Sequence, residues 1–100
     1  MTYTIRWKDC RPSDAVESFV AEKIAKFSDF HFVKEETQIK IEIVYYSKDR
    51  EYKTRMNLPI PSKATLSGEA SDGDILTSIN KCVDKIVDQC RRVKTQFKDR

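Results

Sequence analysis

Apolar and polar residues follow two periods along this chain. In Thr2 to Lys8 they alternate, with Tyr3, Ile5 and Trp7 on one side and Thr4, Arg6 and Lys8 on the other, which predicts a half-buried strand. Cys10, Arg11 and Pro12 close it. The period then lengthens. Val16, Phe19, Val20, Ile24 and Phe27 share one face of a predicted helix, and Phe30 extends that face if the helix runs so far. Ser13 stands as its cap, with Asp14 in the first turn. After a polar, acidic link from His31 to Glu36, alternation returns in Thr37 to Tyr46. Ile39, Ile41, Ile43 and Tyr45 point one way there; Gln38, Lys40, Glu42, Val44 and Tyr46 point the other. Ser47, Lys48 and Asp49 form a turn, and Arg50 to Leu58 returns as a strand with Tyr52, Thr54, Met56 and Leu58 on one face. Pro59 and Pro61 interrupt the ladder. Lys63 to Ala70 gives a fourth, weaker strand with Ala64, Leu66 and Gly68 on one face.

The longest periodic stretch comes last. From Ser71 to Lys98, Ile75, Ile79, Cys82, Val83, Ile86, Cys90, Val93 and Phe97 recur at steps of three and four, and Leu76 and Val87 widen the stripe. Ser71, Asp72 and Asp74 supply capping oxygens, and Arg91, Arg92, Lys94 and Lys98 suit the negative end of the helix dipole. On the polar side, Lys81, Lys85 and Arg92 fall in one narrow sector with Ser78, Gln89 and Gln96. Two readings of that sector stand: a solvated face of mixed charge, or a row of cations with hydroxyl and amide partners placed to meet phosphates.

The order β-α-β-β-β-α makes the last three strands an antiparallel meander. The apolar face of the sheet needs cover, and only the two helices can supply it. The expected class is therefore α+β: a four-stranded sheet with two helices packed on one face, in one domain spanning residues 1–100. A cationic groove would lie between the helices if Lys23 and Lys26 of the first faced Lys81, Lys85 and Arg92 of the second.

Composition narrows the function. The net charge is +3 over 100 residues, with 35% charged and 39% hydrophobic positions, which suits a small globular protein with a large charged surface. The charge is unevenly placed. Lys81 to Arg100 holds seven basic and three acidic residues, whereas Ser13 to Glu36 holds three basic and six acidic ones, so the positive excess sits on the last helix. No segment resembles a signal peptide or a membrane span, and the expected location is the cytoplasm. The odd number of cysteines agrees. Cys82 and Cys90, about 12 Å apart along one helix, are too far apart for a disulfide and read as buried structural thiols.

Catalytic chemistry finds little footing. His31 is the single histidine and lies in a loop, and Cys10 has no base at a recognisable spacing. Cys10, His31, Cys82 and Cys90 form no metal-ligand motif, and two glycines make no phosphate loop. No enzyme activity, cofactor, metal or small-molecule substrate is expected. Nucleic-acid binding fits the basic helix flanks better than the open sheet face. That face carries Arg6, Lys8, Lys40, Lys53, Arg55 and Tyr46, while Tyr3, Trp7, Tyr45 and Tyr52 point away from it.

Four segments in order resemble one family. They are the strand TYTIRWK with the helix start PSDAVESFVAEKIAKF, the strand end NLPIP, the run GEASDGDILTSINKCVDKI, and the end DKIVDQCRRVKTQFK. Together they are similar to the short ribosome hibernation-promoting factors, also called ribosome-associated inhibitors or ribosomal subunit interface proteins. The resemblance implies a double-stranded-RNA-binding-domain-like sandwich. It also implies a basic surface on the two helices that docks on the small ribosomal subunit, near the decoding region where messenger RNA and tRNA would sit. Lys23 and Lys26 match the family's basic pair in the first helix. Lys85 and Arg92 match basic positions of the second, with Arg91 and Lys94 nearby; Lys81 rests on the helical-wheel argument alone. Pro61, Ser62 and Lys63 replace a Gly-rich turn, Trp7 stands where a small residue is common, and Asp84 and Asp88 dilute the basic helix.

The expectation is a ribosome-associated translation inhibitor that binds the small subunit and the whole ribosome through ribosomal RNA, is monomeric off the ribosome, and has no membrane partner. Without the second domain of long family members, it is expected not to drive ribosome dimers by itself. A general double-stranded-RNA-binding module and a protein–protein adaptor with an acidic partner are the alternatives.

Overall fold

The computed structural model describes residues 1–61 and 64–98, with side chains in the last helix as far as Lys94. Ser62 and Lys63 of the fourth predicted strand and its turn lie outside the described residues, as do Asp99 and the side chains of Gln96, Phe97 and Lys98. The elements are β1 (Thr2–Lys8), α1 (Asp14–Ile24) continued by a 3₁₀ segment (Ala25–Asp29), β2 (Gln38–Tyr46), β3 (Glu51–Pro59), β4 (Thr65–Asp72) and α2 (Ile75–Lys98). The sheet order is β1-β2-β3-β4, with β1 parallel to β2 and the other pairs antiparallel. The expected α+β class and β-α-β-β-β-α order are both present, and α1 is the crossover that the parallel pair requires.

One face of the sheet is buried. Ile39, Ile41, Ile43, Met56 and Leu58 join Val20, Ile24 and Phe27 from the first helical layer and Ile79, Cys82, Val83, Ile86 and Cys90 from α2 in a single core. The apolar stripe of α2 therefore packs as its period predicts, against β3 and β4. Leu76, on the widened side of that stripe, stays 38% exposed. Two details fix how α2 sits. Gly68 on β4 has no Cβ, and one built there would stand 3.2 Å from Ile86 Cγ1 and 3.4 Å from Cys82 O, so helix and strand approach closely at this point. Beside it, the Thr54 and Ser78 hydroxyls meet at 2.8 Å in the core, and Ser78 also donates to Ile75 O at 2.7 Å.

Several local expectations need correction. The last helix begins at Ile75 rather than Ser71, because Ser71 and Asp72 continue β4 opposite Lys53 and Tyr52. Asp74 is its capping residue, accepting from Thr77 N at 2.9 Å, and Asp72 Oδ2 accepts from Asp74 N at 2.8 Å to shape the turn. Arg50 belongs to the turn instead of the strand: its φ of 53° is left-handed, which closes the β2–β3 hairpin. The first α-helix ends at Ile24, yet the tighter 3₁₀ turns still bring Phe27 and Phe30 into the core. The link after it is less polar than it reads, since Phe32 is buried and its ring stacks on Phe30 at 5.6 Å. Val44, on the open face, is only 6% exposed; it lies between Lys8 and Lys53 in the sheet register, where their aliphatic stems can cover it.

Burial sets the thiol chemistry. Desolvation pushes Cys82 up to about 12 and Cys90 up to about 11, and raises the half-buried Cys10 thiol as well. Because these folded values exceed the unfolded 9.0, the stability linked to them is complete below pH 9 and declines as the pH climbs towards 11 and 12.

Two measurements check this core. Ser78→Ala is expected to destabilise by about 1–3 kcal/mol because it strands the buried Thr54 hydroxyl; adding Thr54→Val should return part of that loss in denaturant titrations. An aromatic disulfide reagent at pH 8 should modify Cys10 alone, and slowly, in the native protein, reaching Cys82 and Cys90 only after unfolding.

Candidate nucleic-acid interface

The seven basic residues singled out by sequence do not form one surface. On α2, Lys81, Lys85 and Gln89 follow one another at steps of four, a rise of about 6 Å per step. Alongside runs β4, an edge strand whose outer carbonyls recur every second residue, at about 6.6 Å. The near match lets the helix flank close over the strand edge. Lys81 Nζ meets Asp72 Oδ1 at 3.0 Å, Lys85 Nζ donates to Glu69 O at 2.7 Å, and Gln89 Nε2 donates to Ser67 O at 2.6 Å. Such cover also blunts an edge that would otherwise be open to strand pairing.

These contacts sort the charges. Lys81 is matched by Asp72, whose carboxyl is held below its usual range first by the Asp74 N–H and then by Lys81 itself. Lys85 bonds a neutral carbonyl, so its full charge and remaining N–H groups stay at the surface. Arg92 is exposed on the same side. Arg91 faces Asp88 at 3.5 Å, an exposed pair of small net energy. Lys94 is exposed beyond them. On the first helix, Lys23 is half-buried with Nζ 5.2 Å from the centre of the Phe19 ring, and Lys26 is exposed on the 3₁₀ segment.

Lys85 and Arg92 line a groove of about 510 Å³ between α2 and β4. Lys26 lies elsewhere, in a groove of about 560 Å³ between the 3₁₀ segment and α2 that also holds Arg91, Asp29, Asp84 and Asp88. The cationic interhelical groove considered from sequence is therefore absent among the described residues, because the Lys85 and Arg92 flank of α2 turns towards β4 rather than towards α1. Ser78, grouped with that flank on the helical wheel, is a core residue bonded to Thr54. Sequence reading set Arg55 on the open sheet face, as part of the weaker nucleic-acid surface, and gave Asn57 no role; both line the α2–β4 groove from the open side of β3. Their alternation on β3 placed them on the open face, but β4 had first to be known as an edge before that face could be joined to the helix.

No helix among the described residues is long and apolar enough to cross a membrane. No group of three or more metal-ligating side chains occurs among them either.

Comparison with known proteins bears out the resemblance and the fold. The family model described as Sigma 54 modulation protein / S30EA ribosomal protein matches residues 3–98. The crystal structure of the Thermus thermophilus Protein Y N-terminal domain superposes with a TM-score of 0.78 at 19% identity, covering 93% of this chain and 99% of that one. A ribosomal subunit interface protein from Coxiella burnetii superposes with a TM-score of 0.80 at 16% identity, covering 95% of this chain and 99% of the other. At these identities the superpositions speak for the fold, while the family model speaks for descent. By that match, this chain belongs to the Sigma 54 modulation protein / S30EA ribosomal protein family.

Proposed function

We propose that this protein is a ribosome-associated translation inhibitor that docks on the small ribosomal subunit and acts by occupancy. In this reading it is a folded cationic plug near the decoding region, competing with messenger RNA and tRNA, and it performs no catalysis. It would work in the cytoplasm as a single ribosome-binding domain, monomeric off the ribosome. Family membership makes association with the ribosome its setting. The observation that carries the site is the α2 flank, where Lys85 and Arg92 present charge over the β4 edge and no carboxylate among the described residues pairs with either within 4.0 Å.

The physical basis is phosphate neutralisation. Each cation set against a ribosomal RNA phosphate releases counterions, so affinity falls as salt rises. Arg91 and Lys94 extend the cationic end of α2, and Lys23 and Lys26 supply a second, separate contact from the first helical layer. Shape rather than base reading would select the site, since the helical faces carry charges and few exposed aromatic rings.

The test is the double variant Lys85→Glu/Arg92→Glu. Both side chains are exposed and off the core, so the fold is expected to persist. Two lost charge-assisted contacts at roughly 1.5–3 kcal/mol each predict a loss of ribosome affinity on the order of 100-fold or more. Wild-type binding to small subunits should survive excess duplex RNA and should weaken when messenger RNA and tRNA are bound first. Unchanged affinity in the folded variant would remove this flank from the interface. Displacement by any long duplex would point to a general double-stranded-RNA module instead.

A further inference from the structure

The α2–β4 groove does not end at the strand edge. Arg55 and Asn57 line it and also line a second groove, of about 370 Å³, on the open face of the sheet together with Arg6 and Lys40. A third hollow of about 250 Å³ shares Lys40 and Asn57 with the second. The three depressions are joined through β3, and the surface turns the corner from the helical layer to the open sheet.

Charge runs with that continuity. Along the three joined depressions stand five cations, Arg6, Lys40, Arg55, Lys85 and Arg92, against three carboxylates, Glu42, Glu69 and Asp88. The interhelical groove has the opposite balance, with Lys26 and Arg91 against Asp29, Asp84 and Asp88. A polyanion that meets Lys85 and Arg92 therefore finds net positive charge towards the sheet and net negative charge towards α1.

The sheet register shows what each row can offer. One row runs Arg6, Glu42, Arg55, Glu69 across the four strands, alternating in sign. Arg55 Nε is 3.0 Å from Glu69 and an Nη is 3.8 Å from Glu42, while Arg6 is 4.0 Å from Glu42. These pairs are exposed and contribute little stability, but they set the Arg55 guanidinium between Glu42 and Glu69 of the two neighbouring strands. The neighbouring row runs Thr4, Lys40, Asn57, Ser67: one cation among neutral hydrogen-bonding groups and no carboxylate. Planar and point-charge donors among small polar side chains, without a stacking ring on this floor, suit the sugar–phosphate backbone of an RNA strand rather than its bases.

Resting on the ribosome-binding reading above, we propose that the RNA-binding surface rounds the β4 edge onto the open sheet face, where Arg55, Lys40 and Asn57 hold the backbone of an RNA strand whose neighbouring phosphates lie on Lys85 and Arg92. The helical layer and the sheet would then grip one strand from two sides of an edge.

The experiment measures binding of the full chain to purified small ribosomal subunits across a salt series. It compares wild type, Lys40→Gln/Arg55→Gln and Lys85→Gln/Arg92→Gln, with melting curves to confirm the fold. The proposal expects both pairs to weaken binding at least about tenfold and to lower the slope of log affinity against log salt by up to about 2 each. Glu69→Gln, which removes a carboxylate from the track and leaves the core untouched, should tighten binding about two- to fivefold. If the helix pair weakens binding while the sheet pair leaves affinity and slope at wild-type values, the proposal is overturned and the ribosome-binding reading stands. If neither pair has an effect, both fall. Should the sheet pair fail to fold, Glu69→Gln decides alone, and unchanged or weaker binding there overturns the proposal.

Discussion

The seating of α2 on β3 and β4 is the constraint on which the rest of the molecule depends. Five residues of its stripe are fully buried, and each contributes on the order of 1.5–3 kcal/mol for a large aliphatic side chain, less for cysteine. The seat is specified by shape as well as by apolarity. Gly68 lets the helix approach β4, and the Thr54–Ser78 pair ties its rotation to β3, because the buried Thr54 hydroxyl finds its partner in Ser78. Once that rotation is fixed, the polar residues beside the stripe have no freedom of direction. Lys81, Lys85 and Gln89 must fall on the β4 edge, Asp84 must fall towards the first helical layer, and Asp88 stands between the two, on the rim of both grooves.

The electrostatic pattern is a consequence of that packing. Helix α2 carries positive charge overall, but its rotation divides the charge. The β4 side receives Lys85 and Arg92, while the α1 side receives Asp84 and shares Asp88, in a groove that also holds Lys26 and Arg91. Some cations are also committed to structure. Lys81 is neutralised while it helps to shape the β4–α2 turn, whereas Lys85 can tie down the edge and remain charged, because a neutral carbonyl accepts its hydrogen bond without cancelling its charge.

Most of the fold was legible in the sequence, since periodicity is a local signal. The strand faces of Ile39, Ile41 and Ile43 and of Tyr52 to Leu58, and the helical stripe from Ile75 to Val93, all turn where their spacing says they should. The misses have physical reasons. Asp72 and Asp74 are both capping residues by type, and only the pairing of Asp72 with Tyr52 shows that the strand continues to it. Arg50 occupies a left-handed turn position without the glycine or asparagine that would announce it. Ser78 reads as polar surface because its partner, Thr54, lies 24 residues away. The site was legible only in part. The helical wheel gathered Lys85 and Arg92 correctly into one sector, but which neighbour that sector faces depends on tertiary rotation, and a strand residue such as Arg55 joins a helix flank only through the edge position of β4.

The central claim is that this fold meets ribosomal RNA on the small subunit through the β4 side of α2. Co-sedimentation of the purified protein with isolated small subunits, isolated large subunits and whole ribosomes, in rising salt, tests it most directly. The expected result is pelleting with small subunits and whole ribosomes that weakens steadily with salt, and none with large subunits. Failure to pellet with small subunits at low salt, or pelleting that salt does not affect, would contradict it.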